Sequence, residues 1–200
     1  MKKIAIATSV IMLGLISAAH GAGDPAIGKD KSAACGACHG ADGNSAVPTF
    51  PSLASQSEGY LIKQLQNFKT GVRNDPVMSD QAKAIDDADI PHLAAYFASQ
   101  KRTPNTAATN PELVAQGRKL FLGGNIASGV PACSSCHGPT GNGNPAAGYP
   151  SLSGQQAQYT VTQLQRFKSG ERAGDMMRGS VARLSDAEMN ALAEYLAGLQ

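Results

Sequence analysis

The sequence predicts an all-α protein made of two tandem copies of one small helical domain, and three observations carry that expectation. A stretch of the first half recurs in the second at a constant offset. The apolar stripes have helical spacing, with no run alternating as a half-buried strand would. The motif Cys-x-x-Cys-His occurs once in each half, as CGACH ending at His39 and as CSSCH ending at His137, and uses all four cysteines of the chain. The repeat itself is PSLASQSEGYLIKQLQNFKTG at 51–71 against PSLSGQQAQYTVTQLQRFKSG at 150–170, an offset of 99 that also pairs Met78 with Met177. Self-similarity sustained over this length marks a duplicated unit more firmly than any short motif. The cysteines lie 98 apart, so one residue was gained between the histidine and the proline of the second copy.

In chain order, residues 1–21 read as a secretory signal peptide: Lys2 and Lys3 precede an apolar run from Ile4 to Ala19, then small residues, with cleavage expected after Gly21. An uncut anchor would look similar, but the run is short for a membrane span. The mature protein is expected outside the cytoplasm. The first domain is assigned to 22–100, a polar linker with two prolines in KRTPNTAATNPE to 101–110, and the second domain to 111–200.

Within the first copy, Pro25 suits a first helical position. Ser57 stands where a cap would precede a helix carrying Leu61, Leu65 and Phe68 on one face, and Gly71 ends that helix. Met78 follows on a polar loop, NDPVMSD. A closing helix contains Pro91 near its start. In the second copy Ser185-Asp186-Ala187-Glu188 is a capping box, ahead of an apolar stripe of Met189, Leu192 and Leu196.

Composition limits what these helices can enclose. Aromatic residues make up 5% of the chain, Trp is absent and Gly numbers 22. Halves of this size with so little bulky apolar material bury a thin core, so something besides side chains is expected to fill the middle. Without Lys2 and Lys3 the chain has fifteen basic and fifteen acidic residues, and no basic patch resembles a nucleic-acid site. Residues 22–100 hold six Lys/Arg and nine Asp/Glu, whereas 101–200 hold nine and six. That dipolar distribution can orient charged partners, or be surface drift.

Two thiols about one helical turn apart can add across the two vinyl groups of one haem, with the adjacent histidine held beneath the iron. Cys35, Cys38, Cys133 and Cys136 are therefore expected to form thioether links to two haem c groups, and His39 and His137 to be axial iron ligands. Structural disulfides are the first competing reading, but a two-residue loop adds little and leaves the histidines unexplained. Redox dithiols lack the alternating strand–helix pattern, and zinc pairs need far shorter separation.

The sixth ligand decides function. Met78 is the one methionine of the first copy, and its equivalent is Met177. Met176 aligns with Val77, and Met189 falls on a helical apolar stripe where packing explains it. His92, the one mature histidine outside the motifs, aligns with Ala191 on a helix and is read as a surface or satisfied residue. Thioether ligation favours Fe(II) and fills the axial site, which points to electron transfer rather than bond chemistry. Pro51 and Pro150 follow the motif histidines by twelve and thirteen residues; each carbonyl can accept the histidine Nδ1–H, or each proline can simply shape its loop.

With CGACHGADGNS, FPSLASQ, YLIKQLQNFKTG, PACSSCHGPTGNGNPAAGYPSL and MMRGSVARLSDAEMNALAEYL in view, the chain resembles the dihaem cytochrome c4 family over its whole mature length. The resemblance implies two cytochrome c-like domains related by a pseudo-twofold axis, each around a covalent haem with His/Met ligation. Carried onto this sequence, it selects Cys35, Cys38, Cys133 and Cys136 for attachment and His39, Met78, His137 and Met177 for the irons. It further implies a monomeric periplasmic carrier of single electrons, from a quinol-oxidising cytochrome bc complex to a terminal oxidase, with peripheral inner-membrane association. The segment GVRNDPVM leading to Met78 is shorter than expected of many members, which would expose the first haem or alter its potential. Competing functions are a dihaem enzyme, such as a peroxidase or sulfur-compound dehydrogenase, an electron-transfer subunit of an oxidase, or a haem-based sensor.

Overall fold

The computed structural model describes residues 23–103 and 110–199; the expected signal peptide over 1–21 and linker positions 104–109 lie outside the described residues. The first half contains α1 (Pro25–Lys31), α2 (Ala33–His39), α3 (Glu58–Thr70), α4 (Met78–Lys83) and α5 (Ile90–Ser99). The second contains α6 (Pro111–Gly123), α7 (Ser134–His137), α8 (Ala157–Ser169), α9 (Asp175–Val181) and α10 (Asp186–Gly198). Among the described residues, strand-type pairing is limited to isolated bridges at Asn125–Val130 and Asn144–Tyr149.

The helix boundaries follow local chemistry. Asp24 accepts the Ala26 N–H at 2.8 Å, capping α1 just ahead of Pro25. Asn110 does the same for α6 ahead of Pro111. Ser57 occupies the N-cap position of α3, yet its hydroxyl makes no capping bond, contrary to expectation. Instead its N–H donates to the Gln56 side chain at 3.0 Å. Gly71 closes α3 in the left-handed region at φ 77°. Pro91 is accommodated in the first turn of α5.

Met78 and Met177 begin or lie within short helices, α4 and α9, rather than loops. The Asp75 carboxylate accepts from the N–H groups of Val77 and Met78, both at 3.1 Å, and so caps a turn too short to show apolar periodicity in sequence.

The capping box of α10 is complete, with Ser185 and Glu188 exchanging bonds. The Ser185 N–H, followed by the Asn125 amide, holds the Glu188 carboxyl below the usual glutamate range. Because the folded value is depressed, this stabilisation is present above the ordinary glutamate value and lost as pH falls through the folded one. Between about pH 6 and about pH 3, Glu188→Gln is therefore expected to lose less thermal stability than the wild type. Equal losses in paired melting curves would contradict this.

Each half is built on a helix crossing, α1 with α5 and α6 with α10. At Gly28 and Gly117 the backbones come so close that a Cβ would stand 2.0 Å from the carbonyl oxygen of His92 and of Ala191 respectively. The second-half core gathers Phe121, Leu184, Met189 and Leu192, all essentially solvent-free, which places Met189 in the packing as expected. The first-half core is smaller, centred on Leu61, Ala94, Tyr96 and Phe97.

The halves meet through polar bonds. The Tyr159 N–H donates to the Pro48 carbonyl at 3.1 Å. Arg166 pairs with Asp75 at 3.0 Å. Arg102, from the linker, donates to the Ala54 carbonyl in the first half and to the Ser153 carbonyl in the second, the latter at 2.5 Å. Burial pushes its guanidinium down to about 10, still charged at neutral pH.

Candidate metal centres

The short helices α2 and α7 present each Cys-x-x-Cys-His motif. His39 and His137 are the buried ends of these helices, 6% and 5% exposed. Nδ1 of His39 lies 2.8 Å from the Pro51 carbonyl oxygen, and Nδ1 of His137 lies 2.9 Å from that of Pro150. A carbonyl only accepts, so each Nδ1 carries the proton and each Nε2 keeps its lone pair. Of the two readings of these prolines, the structure favours the carbonyl partner. Burial lowers the basicity of both imidazoles against the opposing proline bond, leaving neutral rings able to donate to a metal.

A cavity of 1180 Å³ runs through both halves, and its walls include all four cysteines, both histidines, Met78, Met176 and Met177. Met78 and Met177 are half-buried, and Met177 packs against the second-half core. Met176 is 62% exposed, its sulfur accepting from the Tyr149 hydroxyl at 3.3 Å. His92 sits on α5, where its Nδ1 accepts the Asp24 N–H at 2.8 Å, the satisfied role expected of it. Val72 and Val77, in the short segment before Met78, stand exposed.

Neither Cys35 and Cys38 nor Cys133 and Cys136 are joined as a disulfide. Before haem is attached, burial pushes the Cys133 thiol up to about 11 and raises Cys35 as well, unlike the low values of thiolates poised for exchange. Among the described residues no three His, Cys, Asp or Glu side chains converge as a metal cage.

The family model described as Cytochrome c matches this chain twice, over residues 26–101 and 114–200. A cytochrome c4 of Azotobacter vinelandii is 45% identical, covering 98% of each chain. The reduced cytochrome c4 structure from Pseudomonas stutzeri superposes with a TM-score of 0.85 at 46% identity, over 90% of this chain and all of that one. The chain belongs to the dihaem cytochrome c4 family. A thiosulfate dehydrogenase electron acceptor of Thiomonas intermedia is also similar, 38% identical over 84% of this chain and 79% of its own length. Membership makes this cytochrome c4 homologue a dihaem c-type electron carrier, with two covalent haem c groups at the Cys35/Cys38 and Cys133/Cys136 pairs.

The residues around the cavity fit such a group. Two arginines line it, each only 7% exposed, and neither is paired with a carboxylate among the described residues. Arg73 donates to Gln64, to Tyr159 and to Gln163; Arg172 donates to Gln163, to Tyr60 and to Gln64. Each guanidinium also lies over a phenylalanine, Arg73 over Phe68 and Arg172 over Phe167, both at 4.4 Å. Two cations held together by neutral amides and hydroxyls are costly to bury unless an anion compensates them. The carboxylate-bearing edges of two haems have the charge this pair lacks.

Sequence reasoning overlooked these arginines, their glutamines and the neighbouring Gln56 and Gln155. A signal was present: Gln56, Gln64 and Arg73 repeat at Gln155, Gln163 and Arg172, polar identities kept at the offset of 99.

Proposed function

We propose that this cytochrome c4 homologue carries single electrons in the periplasm, from a quinol-oxidising cytochrome bc complex to a terminal oxidase. Each domain, 22–100 and 111–200, would hold one haem c, with His39 and Met78 as axial ligands in the first and His137 and Met177 in the second. Residues 1–21 would be removed as a signal peptide on export. The observation that carries the reading is that in each half an Nδ1-anchored histidine and an equivalent methionine line one continuous cavity.

Haem supplies a one-electron Fe(III)/Fe(II) couple. The chain's own contribution is to hold it unchanged in geometry. Pro51 and Pro150 fix the imidazole planes, Asp75 pins the turn bearing Met78, and Phe68 and Phe167 support the arginines that would hold the haem carboxylates. With His39 and Met78 holding one iron and His137 and Met177 the other, no position would be left for a substrate, which sets this reading apart from a dihaem peroxidase. Similarity to a thiosulfate dehydrogenase electron acceptor favours one further reading, in which a sulfur-compound dehydrogenase is the donor.

Exported protein, oxidised and reduced, is expected to show two c-type haems per chain, a methionine–Fe(III) charge-transfer band and no carbon monoxide binding as isolated. A carbon monoxide-reactive iron would sink the carrier reading in favour of an enzyme. Stopped-flow reduction by a bc complex and by a thiosulfate dehydrogenase distinguishes the two donors.

A further inference from the structure

We infer that each half of the molecule tunes the iron centre of the other half, through a glutamine that grips the peptide group holding the opposite histidine. The Ser52 N–H donates to Oε1 of Gln155 at 2.9 Å, and Nε2 of Gln155 donates back to the Ser52 carbonyl at 3.0 Å. The mirror arrangement joins Ser151 to Gln56, at 3.0 and 2.9 Å. All four residues are buried, between 5% and 8% exposed. The amide orientations are fixed by chemistry: each glutamine oxygen also receives the N–H of the next residue, Gln156 or Ser57, so it faces two donors.

Ser52 N–H and Pro51 C=O belong to one peptide unit, and resonance ties the two ends together. His39 Nδ1–H donates to that carbonyl, while the N–H at the other end of the unit donates to Gln155. The chain is therefore His39 to the Pro51–Ser52 peptide to Gln155, and its counterpart runs from His137 through Pro150–Ser151 to Gln56. Donation at the peptide N–H pushes electron density onto the carbonyl oxygen, making it a better acceptor, because consecutive hydrogen bonds polarise one another in a low-dielectric interior. A stronger bond at Nδ1 raises imidazole basicity at Nε2, and a more basic axial imidazole favours Fe(III). Gln155, in the second half, thus acts as a positioning residue for His39, and Gln56, in the first half, for His137. The inference rests on His39 and His137 being iron ligands, as proposed above.

The test is the reduction potential of each centre in holoprotein, assigned to its half by NMR, together with the Nδ1–H resonances of His39 and His137 in the reduced state. Gln155→Ala is expected to shift the first-half centre threefold to tenfold towards the reduced form, the upper end being about 59 mV for one electron. The His39 Nδ1–H resonance moves upfield, and the second-half centre stays in place. Gln56→Ala gives the reverse pattern. Should Gln155→Ala not yield dihaem protein, Gln155→Ser, too short to reach Ser52 but leaving room for water, is measured against the same criterion. Movement of the second-half centre by a Gln155 substitution, of both centres equally, or of neither overturns the inference. If wild-type spectra show His/Met ligation and only the crossed pattern is missing, the ligand assignment survives; wild-type spectra without histidine ligation remove that assignment itself.

Discussion

Gly117→Ala is expected to destabilise the second half by about 3 kcal/mol or more and to lower the yield of dihaem protein. The new Cβ would stand 2.0 Å from the Ala191 carbonyl oxygen, 2.6 Å from its carbon and 2.7 Å from Tyr195 Cβ. The two nearest of those atoms are backbone in the middle of α10, so no side chain can swing aside. The helices must separate, and the contacts of Leu120 and Phe121 with Leu192 and Leu196 loosen with them. Gly28→Ala should do the same to the first half, where the Cβ would meet the His92 carbonyl oxygen at 2.0 Å. Gly59→Ala is the control: nothing lies within 4 Å of its Cβ, and alanine on α3 should be neutral or stabilising by up to about 1 kcal/mol. Urea unfolding of the three holoproteins by circular dichroism checks the order, and a Gly117→Ala midpoint matching that of Gly59→Ala would contradict it.

Met78→Ala and Met177→Ala are each expected to remove about half of the methionine–Fe(III) charge-transfer intensity. Each should also open one carbon monoxide site per chain and lower the potential of the affected centre, because thioether sulfur favours Fe(II). The double variant loses the band entirely. Met176→Ala should leave band and potentials unchanged, since Met176 is largely exposed and engaged by Tyr149. A band that survives Met177→Ala but disappears with Met176→Ala would transfer the ligand to the neighbouring residue. Spectra and potentiometric titration of the four proteins decide it.

Much of this architecture is legible in the sequence because it depends on local chemistry repeated twice. Capping by Ser185 and Glu188, the stop at Gly71 and the apolar stripe of α10 are readable from spacing alone. Even the proline carbonyls were within reach, since each proline follows its histidine at a near-constant separation of twelve or thirteen residues. Less legible were α4 and α9, whose few residues show no periodicity and whose start at Met78 depends on a cap from Asp75. Ser57 misled in the other direction: a favourable cap residue at the right position makes no capping bond, and its own N–H is taken by the Gln56 side chain.

By itself the sequence determined the duplication, the helical class, the covalent haem motifs and the candidate ligands, all of which follow from residue type and spacing. Only the tertiary structure decided whom the repeated polar residues serve. Gln56 and Gln155, Arg73 and Arg172, Tyr60 and Tyr159 are related by the same offset of 99, and a repeat fits equally well with each residue bonding inside its own copy. Folding adds crossed bonds, with Gln155 on Ser52, Gln56 on Ser151, Arg73 on Tyr159 and Arg172 on Tyr60, while Arg73 also keeps Gln64 and Arg172 keeps Gln163 of its own copy. The physical reason is that spacing along a chain constrains neighbours within an element, whereas contacts across a pseudo-twofold interface depend on how two finished domains dock.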